Sequence, residues 1–206
     1  KNQKVILGVV GAIAIATLGY LLYNRFVVEP KEEKATNEIF QAQQYFQQAV
    51  DATEKNDSLY NLALKGGDGK LGFVGIAEQY SGTDAGNLAN YHAGMAYLNL
   101  GDFKNAITYL EKFKSEDAIL KPLALGAIGD ALAETNKVDD AIAHYKKAAE
   151  ASENDFTTPR FLLKAAQLSL AAGKKAEAHA LFVEIKEKFE TSKEGLNIDA
   201  FIAMTE

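Results

Sequence analysis

Cysteine is absent from the 206 residues, which excludes a structural disulfide and any metal site built from thiolates. Proline occurs only three times and tryptophan not at all. No alternation of β-branched residues marks a strand outside the first segment, whereas alanine, leucine, lysine, glutamate and glutamine are frequent. The sequence therefore predicts an all-α protein.

An excess of basic residues is also lacking, because 22 Lys and Arg face 28 Asp and Glu. Binding to nucleic-acid phosphates needs a basic surface, so we expect no nucleic-acid partner. No nucleophile elbow occurs, and His92, His144 and His179 lack the spacing of a helical metal site. We expect no enzymatic activity, no cofactor and no catalytic, cofactor-binding or metal-binding residues.

The glycine-rich segment 67–72, GDGKLG, has glycines at the first, third and sixth positions of a dinucleotide-binding fingerprint. That fingerprint holds a pyrophosphate at a helix N-terminus that follows a strand, and no strand is predicted here. A calcium-loop interpretation would put Leu64, Gly66 and Gly75 where oxygen ligands belong. The segment is therefore predicted to be a turn between helices.

One long hydrophobic run interrupts the polar composition. Residues 5–23 carry no charge, and at about 1.5 Å per residue they are long enough to cross a hydrocarbon core of about 30 Å. We predict a transmembrane anchor over residues 1–28. A cleaved signal peptide is the alternative, because Ala14, Ile15 and Ala16 resemble a small-residue cleavage site, although the apolar run continues beyond them.

Small residues recur near one face of this predicted membrane helix. Such a stripe lets two membrane helices approach closely, so we predict a contact with another membrane helix. The alternative is that small residues are simply common in such helices. The stripe consists of Gly8, Ala12, Ala16 and Gly19.

The charges that flank the run do not decide its orientation. Lys1 and Lys4 precede it, whereas Arg25, Lys31 and Lys34 follow it. A single N-terminal span with a folded C-terminal domain most often leaves the N-terminus in the cytoplasm, and we expect that orientation here.

A helix-turn-helix pattern begins near residue 87. Ala93 and Gly94 lie on one face of its first helix, where Gly94 leaves a notch for a second helix. Gly101 and Asp102 then supply a left-handed C-cap and an N-cap, and the second helix turns Ala106 inward. The segment is therefore predicted to be a pair of antiparallel helices.

The same pattern returns twice. The inward alanine of the second helix is Ala106, then Ala141 and then Ala178, at offsets of 35 and 37 residues. The pattern resembles tetratricopeptide repeats (TPRs), whose period is about 34 residues. We predict repeats at 87–121, 122–158 and 159–192. A linker helix with a degenerate leading helical unit should occupy 29–86, and a closing helix 193–206.

Repeats of this type usually bind other proteins, and the inward faces of their first helices line a concave groove. The mixture of apolar, amide and charged side chains there suits a loosely specific peptide or a partner's helix. The alternative is a groove filled by this chain's own leading or closing helix. The predicted groove residues are Tyr91, Met95, Leu98, Asn99, Asp130, Ala133, Glu134, Arg160, Leu163, Gln167 and Leu170.

The combination of an N-terminal span, a charged helix after Pro30, a degenerate leading unit, three repeats and a closing helix resembles the YfgM-like family. The pieces that carry the resemblance are GDGKLGFVGIAEQY, NYHAGMAYLNLGDFKNAITYLEKF and AAGKKAEAHALFVEIKEKF. The resemblance implies a bacterial inner-membrane protein with its repeats in the periplasm. It also implies association with the SecYEG translocon and the periplasmic chaperone PpiD, and no catalytic residues.

A cytosol-facing membrane adaptor that binds the acidic tails of chaperones is the alternative function. Such carboxylate-clamp repeats need basic and amide side chains that converge in the groove. Asn99 and Arg160 fit that requirement, but Asp130 and Glu134 would repel an acidic tail. The sequence therefore favours the periplasmic protein.

Overall fold

The computed structural model describes residues 3–206, without the side chains of residues 4 and 5, so Lys1 lies outside the described residues. The described chain is helical and contains no strand, which confirms the all-α prediction. Its helices are α1 (Gln3–Tyr23), α2 (Glu29–Asp51), α3 (Asp57–Lys65), α4 (Phe73–Gln79), α5 (Asp84–Leu100), α6 (Phe103–Lys112), α7 (Leu120–Glu134), α8 (Val138–Glu150), α9 (Thr158–Ala171), α10 (Lys175–Lys188) and α11 (Ile198–Ala203).

Helices α1 and α2 form one unbroken helix. A π-helical turn, Asn24–Val28, joins them, and the Glu29 N–H donates to the Asn24 carbonyl. Pro30 lies in the first turn of α2, and the wider π-helical turn before it gives room for a ring that would clash with a regular preceding turn. From Ile6 to Asp51 the helix has 46 residues, a length of about 70 Å.

The N-terminal part of this helix is long and apolar enough to cross a membrane. Its side chains are not buried by the rest of the protein, since Leu7 is 65% and Ile15 is 74% exposed. A core helix of a soluble domain would bury such side chains. A membrane span and a signal sequence therefore remain the two interpretations.

The leading unit consists of α2, α3 and α4 packed on α5. The α2 residues Ala35, Ile39, Ala42 and Ala49 are buried in one cluster with Tyr60, Leu64 and Phe73. The glycine-rich segment is a turn, because α3 ends at Lys65 and α4 begins at Phe73.

Three antiparallel helix pairs follow, α5 with α6, α7 with α8, and α9 with α10. The predicted notch at Gly94 is filled by Leu110, and a Cβ built on Gly129 would lie 2.7 Å from the Tyr145 ring. Gly101 adopts a left-handed φ of 80°, and Asp102 caps α6 by accepting the Asn105 N–H at 3.2 Å. The predicted notch at Gly94 and the predicted capping by Gly101 and Asp102 are therefore confirmed.

The closing segment is a short 3₁₀ turn, Gly195–Asn197, followed by α11. The Phe201 ring of α11 stacks on Phe182 of α10 with 5.3 Å between ring centroids. The closing helix therefore covers the last helix of the third pair.

Candidate binding groove

An open cavity of about 490 Å³ lies between the successive helix pairs. We call it the inter-repeat cavity. Its walls come from the last turns of α5 and α7 and from single residues of α6, α8, α9 and the loop before α3. The lining residues are Lys55, Leu98, Asn99, Gly101, Phe103, Asp130, Ala133, Glu134, Tyr145 and Lys164.

The local sequence explains why these side chains meet. Leu98 and Asn99 lie on the final turn of α5, which the left-handed Gly101 ends, so that Phe103 begins the next helix beside them. The last two turns of α7 place Asp130 at the same cavity as Leu98 and Asn99. First helices of neighbouring pairs run in the same direction, so their last turns lie together at one end of the groove.

A charged cluster ties the second helix pair to the third at this cavity. Asp130 Oδ1 accepts a hydrogen bond from the Tyr145 hydroxyl at 2.7 Å and from the Lys164 ammonium at 2.6 Å. Burial is the main cause that raises the pKa of Tyr145, and the hydrogen bond to Asp130 raises it further. The Tyr145 hydroxyl therefore stays protonated and donates. Asp130 is therefore held by two donors from different helices.

The cavity carries charges of both signs. Asp130 is paired with Lys164, and Lys55 lies 3.1 Å from Asp57, while Glu134 is exposed. The repulsion of an acidic tail that the sequence suggested for Asp130 is weakened, because Lys164 offsets that charge. The cavity therefore has little net charge.

Five of the predicted groove residues line the cavity: Leu98, Asn99, Asp130, Ala133 and Glu134. The others do not line it. Met95, Leu163 and Leu170 are half-buried against the core, whereas Arg160 and Gln167 are exposed on α9.

Tyr91 is a correction to the sequence analysis. It is only 9% exposed, and its ring lies 5.2 Å from the Phe113 ring and 5.5 Å from His92. The prediction that Tyr91 presents an open binding surface is wrong. The chain after α6 covers it, because Phe113 folds back onto α5.

Sequence reasoning missed Lys55, Phe103, Tyr145 and Lys164 as lining residues. Lys164 follows Arg160 by four positions, so the helical spacing used for α9 contained a signal for it. Tyr145 follows the inward-facing Ala141 by four positions, but helical spacing could not show that its hydroxyl reaches Asp130. No sequence pattern around Lys55 indicates that it lines the cavity, because its position there depends on how the leading unit packs on α5.

The chain's own end helices do not fill the inter-repeat cavity. None of its lining residues belongs to α2 or α11. Helix α2 packs on α3, α4 and α5, and α11 packs on α10. In the described part of the chain the cavity is open to a partner.

The three histidines lie in separate surroundings. The His92 ring is enclosed by Phe73 at 5.0 Å and Phe46 at 5.4 Å between ring centroids, and its buried Nδ1 has no hydrogen-bond partner. Burial lowers the pKa of His92 to about 4. His92 is therefore a half-buried histidine whose neutral form is favoured at neutral pH.

The small-residue stripe of α1 is exposed at all four positions, Gly8, Ala12, Ala16 and Gly19. A Cβ built on Gly8 or Gly19 would meet nothing within 4 Å in the described chain. The surface is accessible to another membrane helix, and that contact stays a prediction.

The tetratricopeptide repeat family model matches residues 89–118 and 123–155. These residues cover most of the first two helix pairs, and the α9–α10 pair lies outside the match. A search of curated proteins and a search of solved structures found no match.

The fold and the cavity define an all-α protein with tetratricopeptide repeats and an N-terminal apolar helix long enough to span a membrane. Tetratricopeptide repeats mediate protein–protein interaction, and proteins that contain them are typically non-enzymatic scaffolds.

Proposed function

We propose that this chain is a non-enzymatic, membrane-anchored TPR protein that binds a segment of a partner polypeptide in the inter-repeat cavity. The observation that carries the proposal is the open cavity itself, to which all three helix pairs contribute side chains. Leu98, Phe103 and Ala133 supply apolar surface, and charged side chains stand beside them. Such a combination anchors an apolar side chain and orients the polar backbone around it.

The chemistry of the cavity favours a partner segment with one apolar anchor and little net charge. A volume of about 490 Å³ is that of a small-ligand pocket, so it accepts a short stretch of chain. Because Lys164 is engaged by Asp130, it is not a free cation for a terminal carboxylate. The adaptor that clamps acidic chaperone tails is therefore the less suitable function.

We further propose that the anchor lies in a bacterial inner membrane with the N-terminus in the cytoplasm and the repeats in the periplasm. In that place the protein associates with the SecYEG translocon and a PpiD-like chaperone and assists the handling of exported proteins. The resemblance to the YfgM-like family supports this proposal. The unbroken helix from α1 into α2 also supports it, since it keeps the repeats close to the membrane at which exported chains emerge.

Site-specific photocrosslinking in living cells tests the proposed function. A photoreactive amino acid at Asn99 reports on the cavity, and the same group at Ala143, exposed on α8 outside the cavity lining, is the matched control. We expect Asn99 to capture a translocon subunit, a PpiD-like chaperone or an exported chain. The Ala143 position should capture far less.

Two outcomes would contradict the proposal in different ways. Equal capture from Asn99 and Ala143 would show that the cavity is not the binding surface. Capture of cytosolic chaperones from Asn99 would keep the binding surface but assign the protein to the cytosolic adaptors.

A further inference from the structure

The start of α2 is fixed to the N-terminus of α5. The Glu32 carboxylate accepts hydrogen bonds from the Asp84 N–H at 2.6 Å and the Ala85 N–H at 2.9 Å. Lys31 donates to the Ser81 carbonyl at 2.8 Å. A carboxylate at this position also interacts favourably with the α5 dipole. The repeat domain is therefore held within a few residues of the π-helical turn that follows α1.

Helices α2 and α5 run in the same direction. Glu32 meets Asp84 near the N-terminal ends of the two helices, and further along each of them Phe46 meets His92. In an antiparallel pair the start of one helix would meet the end of the other. Because α2 continues from α1, α5 also leads away from the side on which α1 lies.

The alternating directions of the later helices define two edges of the domain. One edge, which we call the proximal edge, contains the turn 80–83 before α5 and the loops 113–119, 151–157 and 189–197. Hydrogen bonds join parts of it, since Asn87 Nδ2 donates to the Lys114 carbonyl at 2.6 Å and Asn154 Nδ2 to the Ala118 carbonyl at 3.3 Å. The opposite, distal edge contains the turns within each pair, at Gly101, Asn136 and Gly173.

The proximal edge lies close to the level at which α1 would leave a membrane. Lys31 is eight residues beyond Tyr23, about 12 Å along the helix axis. The headgroup layer on each side of a bilayer is roughly 5 to 8 Å thick. No non-helical residue separates α1 from α2, so no flexible linker lets the domain move away. A bend at the π-helical turn would tilt the domain but would not invert it.

The proximal edge carries exposed apolar side chains and charges of both signs. Beyond residue 28, five large apolar side chains of the described chain are exposed: Phe156 at 59% and Leu196 at 72% lie in proximal-edge loops, whereas Phe40, Val50 and Met204 lie elsewhere. Lys112 and Lys114 line an open depression of about 700 Å³ beside the turn 80–83. The proximal-edge loops also carry Glu116, Asp117, Glu153, Asp155, Glu190 and Glu194 against Lys114 and Lys193, so the exposed apolar side chains and the short rigid connection to α1, and not charge, favour contact with the headgroups.

We propose that the proximal edge rests on the headgroup surface of the bilayer that α1 crosses, so that the inter-repeat cavity faces away from the membrane. The cavity lies near the C-terminal end of α5, and the 15 residues from Asp84 to Asn99 place it about 20 Å above that surface. A partner must therefore reach the cavity above the bilayer. This inference rests on the proposed membrane anchor.

Because the chain has no cysteine, single-cysteine variants of the full chain give a direct test. Ser81→Cys and Lys114→Cys report on the proximal edge, and Lys137→Cys, exposed in the turn between α7 and α8, is the matched distal control. Each variant carries a fluorophore and is reconstituted into phosphatidylethanolamine and phosphatidylglycerol vesicles that contain headgroup-nitroxide lipids. Leu18→Cys with acyl-chain nitroxides reports separately on the anchor.

We expect headgroup nitroxides to quench the probes at residues 81 and 114 several-fold more than the probe at residue 137. Equal quenching at the two edges, or stronger quenching at residue 137, with Leu18→Cys quenched from the acyl chains, would overturn the docked orientation and leave the anchor intact. Absence of acyl-chain quenching at Leu18→Cys would overturn the anchor and this inference together.

Discussion

The protonation of His92 should destabilise the repeat domain at low pH. The imidazole packs against Phe46 of α2 and Phe73 of α4, and no charged side chain contributes to the shift of its pKa. Burial alone therefore disfavours the charged form. Protonation of the ring in the folded protein therefore costs free energy.

The sign and the size of the effect follow from the two pKa values. The folded protein has a His92 pKa of about 4, below the 6.5 of an exposed histidine. Between these values the unfolded chain binds a proton that the folded chain does not, so the free energy of unfolding decreases as the pH falls from about 6.5 to about 4. A difference of about 2.5 pKa units corresponds to about 3 kcal/mol, a large part of a typical domain's stability.

Urea unfolding of the full chain in detergent, followed by tyrosine fluorescence at pH 7.5, 5.5 and 4.5, measures this loss. Other groups also titrate in this range, so the informative quantity is the difference between the wild type and His92→Leu, which cannot titrate there. Between pH 7.5 and pH 4.5 we expect the wild type to lose about 2.5 kcal/mol more than the variant. Met95→Leu, a non-titrating change on the same helix, should keep the wild-type pH dependence. Identical pH dependence of His92→Leu and the wild type would refute a buried neutral histidine.

Two further substitutions test packing. Gly129→Leu should lower the free energy of unfolding by about 1 to 3 kcal/mol in thermal melts, because its side chain would overlap the Tyr145 ring. The control Ala143→Leu, at an exposed position, should change the free energy of unfolding by less than about 0.5 kcal/mol. Equal melting temperatures of the two variants would argue against the close contact at Gly129. Ala12→Ile should keep membrane insertion but weaken co-purification with the translocon, because bulk separates packed membrane helices; unchanged recovery would assign that association to the repeat domain.

The repeat architecture was predictable because its signals are local. Glycines at a helix contact mark the first two pairs, at Gly94 and Gly129, and a residue with positive φ marks the turn of each pair, at Gly101, Asn136 and Gly173. The inward alanines Ala106 and Ala141 repeat at nearly constant spacing. Each of these features depends on neighbours within one helix pair, so a single sequence reveals them.

The cavity was only partly predictable, because its composition depends on contacts between distant segments. Helical spacing located Leu98 and Asp130, but it could not show that Phe113 covers Tyr91. Nor could it show that the leading unit brings Lys55 to the same place. Likewise, Pro30 indicated the first turn of a helix, whereas the continuity with α1 depends on the π-helical turn before it.

Protease accessibility in spheroplasts tests the central claim most directly, that an N-terminal anchor presents the repeat domain on the periplasmic side of the inner membrane. Protease is added to spheroplasts that contain the full chain with a C-terminal tag, and a cytosolic protein serves as the control for lysis. The account predicts that the repeat domain is digested without detergent while the cytosolic control stays intact. Protection of the repeat domain until detergent is added would contradict the periplasmic location and the translocon association with it.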